Sequence, residues 1–257
     1  MPAYNAEPYI AEAIRSVLAQ TYRNWELLIL DDCSTDRTAE IAEEFEKSDP
    51  RIRLIRNLQN EGVAWTRNRG MELARGEWVA LLDSDDSWRR DKLEKQLAMA
   101  RKTDADILYC SYAMVDGNGV HRSDFLVPET TSYENMLRVC VLSCTTVLLS
   151  GHIVAAHRFP LNCYHEDYAF WLTLLREGYR AAACRDVLAD YRVLRGSRSG
   201  NKLKAAGNRW KIYRKIEKLP LLKSVGCFCA YMYYGLVKYS RAGKKVRSGT
   251  LHKARKR

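Results

Sequence analysis

The chain has 257 residues, 47% hydrophobic and 28% charged, a globular balance that excludes a disordered chain, a collagen-like fibre and a small disulfide scaffold. Its net charge of +11 sits at one end: Lys218 to Arg257 holds 11 of the 42 Lys and Arg and no acid, so the first 217 residues balance 31 bases with 31 acids. A localised charge points to a localised anionic partner, a membrane face or a nucleic acid.

No apolar run approaches the ~18–20 residues that span a bilayer, and the stretch from Met1 to Asn5 has neither the basic nor the apolar region of a secretion signal. Eight cysteines include no C-x-x-C and no Cys/His cluster with zinc-ligand spacing, which predicts reduced thiols in a cytoplasmic protein.

The first half alternates two periodicities. From Glu7 to Gln20, Ile10, Ile14, Val17 and Leu18 share one helical face. The run WELLIL (25–30) predicts a buried strand, and Asp36 a cap for a helix reaching about Lys47 with Ile41 and Phe45 inward. A strand is expected over 52–55, a helix over 63–74 stopping at Gly76, a strand at WVALL (78–82), a helix over 91–101 and a strand over 107–112. This alternation predicts an α/β layer with a mostly parallel sheet flanked by helices.

The second half is less regular. The run DGNG (116–119) is a turn. A strand is expected over 145–149, and an amphipathic helix over 168–177 with Phe170, Trp171, Leu174 and Leu175 inward. A last strand is expected over 187–193 and a loop at GSRSG (196–200), dividing a domain at 1–200 from a helical C-terminal extension at 201–257. That extension holds a polar helix (208–219) and 13 uncharged residues (225–237) rich in Tyr, Phe and Met, flanked by Lys223 and Lys238. Thirteen residues are too short to span but suit an interfacial helix, or a helix that caps the core.

Two acidic clusters follow predicted strands: Asp31-Asp32, and Asp83-Ser84-Asp85-Asp86. In open α/β sheets ligands bind beyond the carboxyl ends of the strands. Carboxylates grouped there repel unless a cation sits among them, and hard divalent ions commonly hold substrate phosphates too. A metal-bound nucleotide is one reading; helix caps and solvated turn acids are the other. A third acidic pair, Glu166-Asp167, precedes the 168–177 helix, where Asp167 could equally be an N-cap. No G-x-S-x-G, P-loop or G-x-G-x-x-G motif is present.

Taken together, Pro2-Ala3-Tyr4-Asn5, the run from Asp31 to Asp36, Asn60-Glu61-Gly62-Val63-Ala64 with Arg67-Asn68, Gly76-Glu77-Trp78 through Asp86, and Glu166-Asp167 resemble the family 2 inverting glycosyltransferases of the GT-A fold over roughly residues 1–195. The most similar members build bacterial surface polysaccharides such as O-antigen, capsule, teichuronic acid or exopolysaccharide. The resemblance implies a Rossmann-like nucleotide-diphospho-sugar transferase acting on a glycan or lipid-linked acceptor. Pro2, Ala3 and Tyr4 would border the base, Asp32 would bond it and Asp31 would support that loop. Arg67 would lie near the diphosphate or sugar. Asp83-Ser84-Asp85 would be the D-x-D element for ribose, sugar and Mn²⁺ or Mg²⁺, with Asp85 and Asp86 unranked as metal ligand. Asp167 would be the catalytic base with Glu166 beside it.

The resemblance also implies an apolar first strand before Pro2. The chain begins at Met1, so that strand is expected to be missing or nearly so, leaving neighbours with unpaired backbone groups. The expectation is a cytoplasmic transferase at the inner face of the plasma membrane, its basic tail on lipid, with no nucleic acid bound. Alternatives are a nucleotidyltransferase, which wants a basic Gly-rich loop that is absent, a membrane- or nucleic-acid-binding protein using the tail, and a nucleotide-sugar-binding protein with little activity because the first strand is missing.

Overall fold

The structure is a computed structural model and describes residues 1–194 and 202–235. The 196–200 loop, the domain boundary expected there and the chain from 236 onward lie outside the described residues.

The N-terminal part runs β1 (Pro2–Ala3), α1 (Ile10–Leu18), β2 (Leu27–Asp31), α2 (Thr38–Ser48), β3 (Ile52–Arg56) and α3 (Val63–Leu73). Ile10, Ile14 and Val17 are buried along one side of α1, as their spacing dictates. All five residues of β2 are buried, which is what a strand covered on both faces requires. β1, β2 and β3 form a parallel three-stranded sheet with β2 in the middle.

The rest runs β4 (Trp78–Ala80), β5 (Ser87–Trp88), α4 (Lys92–Ala100), β6 (Ile107–Asp116), β7 (His121–Phe125), β8 (Thr130–Thr131) and α5 (Tyr133–Arg138). A 3-10 turn (Cys144–Thr146), β9 (Leu148–Ser150), α6 (Gly151–Ala156), α7 (Glu166–Arg176), β10 (Ala181–Val193) and α8 (Lys202–Lys211) follow. One π turn (Ile212–Ile216) then leads to α9 over residues 221–235. The second sheet has the order β4-β9-β6-β10-β5, with β7 on β6 and β8 on β10. It is mixed rather than mostly parallel: only β6 and β10 run parallel, while β4 pairs antiparallel with β9. The predicted 78–82 strand therefore exists, but its neighbour comes from 70 residues downstream.

The first strand, β1, is two residues long. β1 keeps its register on β2, pairing Pro2 with Leu30 and Ala3 with Asp31. The Met1 amine donates to the Leu28 carbonyl at 2.8 Å. The two sheets are not joined by a strand among the described residues. Between them lies a cavity of about 820 Å³ lined by Met1, Leu28, Trp78, Leu82 and Leu97 among others. Within the described part of the C-terminal segment, Ile212, Tyr213, Leu219 and Cys227 belong to the same apolar cluster as Phe170, Trp171 and Leu174 of α7.

Candidate active site

The loops after β1 and β2 lock together through a few polar atoms. Asn5 takes a left-handed backbone (φ 47°), as does Cys33 (φ 64°), a conformation that Asn tolerates better than most residues. Asn5 N–H donates to Ser34 Oγ at 3.0 Å, and Asn5 Oδ1 accepts from Thr35 N–H at 2.8 Å. Ala6 N–H donates to Thr38 Oγ1 at 2.7 Å. Asp36 stands one residue before the N-cap of α2, which is Arg37, and accepts from Thr38 N–H at 3.0 Å and from Glu7 N–H at 3.1 Å. The turn so fixed leaves Tyr4 half exposed, its ring over an open cleft.

That cleft, about 670 Å³, is lined by Pro2, Ala3, Tyr4, Asp32, Arg67, Asp83, Ser84, Asp85, Glu166 and Asp167, together with Asn60, Gly62, Thr66, Tyr164, His165, Tyr191 and Arg192. Ten of the twelve residues singled out in the sequence thus meet at one hollow. Asp31 and Asp86 do not line it.

Asp31 works behind the cleft. It is buried, and its Oδ2 accepts from Ser34 N–H at 3.3 Å while Oδ1 is buried without a partner. Asp32 is the anchor of the α3 start: Oδ1 accepts from Asn57 Nδ2 at 2.7 Å and Glu61 N–H at 2.9 Å, and Oδ2 from Gly62 N–H at 2.8 Å. Gly62 is the N-cap of α3, where backbone N–H groups lack helical partners, and a carboxylate there also meets the positive end of the helix dipole. Gly62 has φ 87°, a backbone conformation that glycine supplies without strain.

The loop after β4 is different. Asp83 Oδ1 accepts from Arg67 Nη2 at 2.7 Å, and Arg67 Nη1 reaches Glu166 Oε1 at 2.9 Å. Arg67 is buried, which works against its charge, yet Asp83 and Glu166 hold its pKa well above the usual value. One guanidinium thus clamps α3, the acidic loop and α7 together. Asp85 faces the cleft, and burial first, then Asp83, push its carboxyl up to about 6. Asp86 is turned away: Oδ1 accepts from Arg192 N–H at 2.7 Å and Oδ2 from the Thr145 hydroxyl. Burial, Asp85 and Asp83 raise its pKa well above the carboxylate range. Of the two acids unranked as metal ligand, Asp85 reaches the cleft and Asp86 ties β5 to β10.

α7 points its N-terminus into the same hollow. Glu166 and Asp167 lie in its first turn, where the dipole favours carboxylates, and His165 precedes it as N-cap. Glu166 is buried on Arg67, whereas Asp167 is half-buried and lines the cleft. The helix is held from below. The Tyr168 hydroxyl donates to Met136 O at 3.0 Å, and the Arg209 guanidinium of α8 lies 3.3 Å from the centre of the Tyr168 ring.

Arg192 has no place among the sequence candidates. It is buried, its Nε donates to Asp85 O at 2.8 Å and its Nη2 to Glu12 Oε2 at 2.7 Å. A lone Arg in the apolar run VLADYRV was the available signal, because a charge at a strand position needs partners.

Comparison with known proteins gives one consistent answer. Residues 1–164 match the model of Glycosyl transferase family 2. A Bacillus subtilis (strain 168) protein provisionally named teichuronic acid biosynthesis glycosyltransferase TuaG is 38% identical over 231 residues, covering 90% of this chain and 92% of that one. The Escherichia coli UDP-Glc:alpha-D-GlcNAc-diphosphoundecaprenol beta-1,3-glucosyltransferase WfgD is 36% identical, covering 95% and 96%. The crystal structure of S. aureus TarS 1-349 in complex with UDP-GlcNAc superposes with a TM-score of 0.72 at 22% identity, covering 90% of this chain and 70% of that one. Cleft, fold and relatives agree: the chain belongs to glycosyl transferase family 2 and has the GT-A fold of that family.

Proposed function

We propose that this transferase moves a glycosyl group, with inversion, from a nucleotide-diphospho-sugar to a hydroxyl of a lipid-linked glycan, in the synthesis of a cell-surface polysaccharide. The observation that carries the reading is the convergence of Asp32, Asp85 and Asp167 on one cleft. The relatives' names support the donor and acceptor class.

The donor set suits a divalent cation shared with the substrate. Among the described residues no three His, Cys, Asp or Glu side chains are grouped to hold an ion by themselves. Asp85 is a partly buried carboxyl pressed by Asp83, and Mg²⁺-type sites are commonly built from one or two carboxylates plus substrate phosphates. Asp85 would hold Mn²⁺ or Mg²⁺ in this way, with Asp83 adding field while paired to Arg67. When bound, the cation stabilises negative charge on the departing diphosphate without needing a proton.

The chain's own residues do the rest. Tyr4 offers a ring face to the base beside Pro2 and Ala3. Asp32 fixes the loop that shapes the base pocket. Asp167 accepts the proton of the acceptor hydroxyl as it attacks the anomeric carbon from the face opposite the diphosphate, which inverts that centre. Glu166 is committed to Arg67 and keeps the α7 turn in place. A lipid-linked acceptor sets this work at a membrane surface, on the cytoplasmic side.

Sugar release from UDP-glucose to a lipid-linked acceptor tests the assignment. Asp167→Asn is expected to lower kcat by about 10²–10⁴ with an unchanged melting temperature. Turnover at the unsubstituted rate in that variant would remove Asp167 as base.

A further inference from the structure

The outward side of α9 carries a surface that the transferase reaction does not use. Along residues 221–235, Ser224 and Cys227 are buried, Phe228 meets the Trp210 ring edge-on at 5.5 Å, and the Tyr231 ring lies 4.8 Å from Arg209. These positions mark the inward face. At ~100° per residue, Leu221, Met232, Val225, Cys229, Leu222 and Tyr233 fall in one continuous arc of about 120° on the other side. All six are exposed, Leu222 by 88% and Tyr233 by 63%. A helix on a water-facing surface normally turns charge outward there; this one has none in the arc, and its single charged residue, Lys223, pairs with Glu134 at 2.7 Å.

The charges lie at the two ends instead. Lys211, Arg214, Lys215 and Lys218 are exposed just before the helix. After it, the sequence from Lys238 to Arg257 carries nine Lys and Arg, and no acid follows Glu217 anywhere in the chain. An apolar strip flanked by cations matches the two layers of an anionic bilayer surface, acyl chains and headgroups. The other occupants match half of it. A nucleic acid would meet the cations and leave the strip wet. A second copy would cover the strip and bring two cationic ends together.

We propose that α9 lies in the surface of an anionic membrane, with Leu221, Leu222, Val225, Met232 and Tyr233 seated at the acyl boundary and the exposed Lys211, Arg214, Lys215 and Lys218 at the headgroups. This deepens the reading above, in which the acceptor's lipid end stays in a bilayer. The inward contacts give the seat a second consequence: Tyr231 packs on Arg209, which packs on Tyr168, the residue after the proposed base. Membrane docking and the orientation of α7 share one stack of side chains.

Flotation of the full chain with vesicles tests this. Phosphatidylglycerol:phosphatidylethanolamine vesicles are expected to carry the protein, and phosphatidylcholine vesicles to carry at least tenfold less. The Leu222→Glu/Met232→Glu variant is expected to lose at least tenfold in partition on the anionic vesicles. Its melting temperature and its thermal stabilisation by UDP with Mn²⁺ should stay unchanged, because both positions point away from the core and the cleft. Flotation of that variant as strongly as the parent would overturn the proposal, leaving the tail alone as the attachment. So would a protein that stays at the bottom of the gradient, whether as a monomer or as a dimer that the double substitution dissociates. Loss of UDP stabilisation in the parent with flotation intact would instead strike at the transferase site and leave the membrane seat standing.

Discussion

Asp31-Asp32 sits at the end of β2 and Asp85-Asp86 in the loop between β4 and β5; both are pairs of adjacent acids, and the fold treats them in opposite ways. In the first pair Asp32 is met by dipoles from within: it accepts from the Asn57 side-chain amide and the Glu61 and Gly62 backbone N–H groups at 2.7 to 2.9 Å. The second pair is compressed, since burial and the neighbouring Asp83 raise both carboxyls, Asp85 to about 6. The two cations that act on Asp85 are both committed elsewhere, Arg192 to Glu12 and Arg67 to Asp83 and Glu166. One loop therefore builds a pocket wall, while the other stores an unmet demand for positive charge at the cleft. Sequence proximity to a strand end says where an acid is placed; the donors around it say what it is for.

Removing Arg67 breaks the second loop most severely. Arg67→Met leaves Glu166 buried and Asp83 partly buried without their cation, and stranding a buried partner costs about 3–5 kcal/mol. Urea unfolding should register that loss, together with near-complete loss of transfer. A variant as stable as the parent would mean that Asp83 and Glu166 find other partners and that the clamp is dispensable. Asp85→Asn acts on function instead. It relieves repulsion, so stability should hold or rise, while kcat falls about 10²–10³ and the stabilisation of the UDP complex by Mn²⁺ disappears. If Asp85→Asn keeps that metal response, the demand for charge sits elsewhere.

The same contrast explains what could be read from the sequence. Helices α1 to α4 and strands β2, β3 and β6 were legible because apolar spacing decides them locally; Ile10, Ile14 and Val17 need no partner to announce a face. The gathering of Asp32, Asp85 and Asp167 followed from strand-end logic and from the family resemblance. What escaped depends on distant pairing. β4 reads as a strand, yet nothing in WVALL tells that β9 will run antiparallel to it. β10 starts at Ala181, six residues earlier than the apolar run suggests, because β6 supplies a ladder to small and polar residues with no pattern of their own. Asp85 and Asp86 are identical in sequence; the partners that separate them, Thr145 and Arg192, lie 59 and 106 residues away.

Asp32→Ala probes the first loop and should reverse the signature of Asp85→Asn. Three donors lose their acceptor, two of them at the start of α3, and leaving buried donors unmet costs about 2–3 kcal/mol. The loss appears as a lower urea midpoint, while added Mn²⁺ still stabilises the UDP complex of the protein that remains folded. An unchanged midpoint would show that water or the backbone satisfies these donors, and the two loops would then differ less than their hydrogen bonds suggest.

A buried cation six residues beyond Asp86 offers the finest test. Lys92 is fully buried in the first turn of α4, close enough in sequence to have relieved the acidic loop. It does not: Nζ donates to Gln96 Oε1 at 2.7 Å and sits 4.2 Å from the centre of the Trp88 ring. Burial lowers its pKa to about 8 from 10.5, with only the Cys110 and Cys184 thiols opposing. The folded chain thus resists the lysine's charge. That penalty is complete below about pH 8 and fades as pH rises from there towards the unfolded value. Relative to Lys92→Met, the parent should therefore gain stability between pH 7 and pH 10, on the order of 2 kcal/mol, measured as the difference in urea midpoints across that range. Transfer rate and Mn²⁺ response should match the parent throughout. A gap between the two proteins that does not move with pH would mean that Lys92 keeps an ordinary titration. A weakened metal response would mean that Lys92 does reach the acids, and the compression of Asp85 would then be partly relieved from within, as in the first loop.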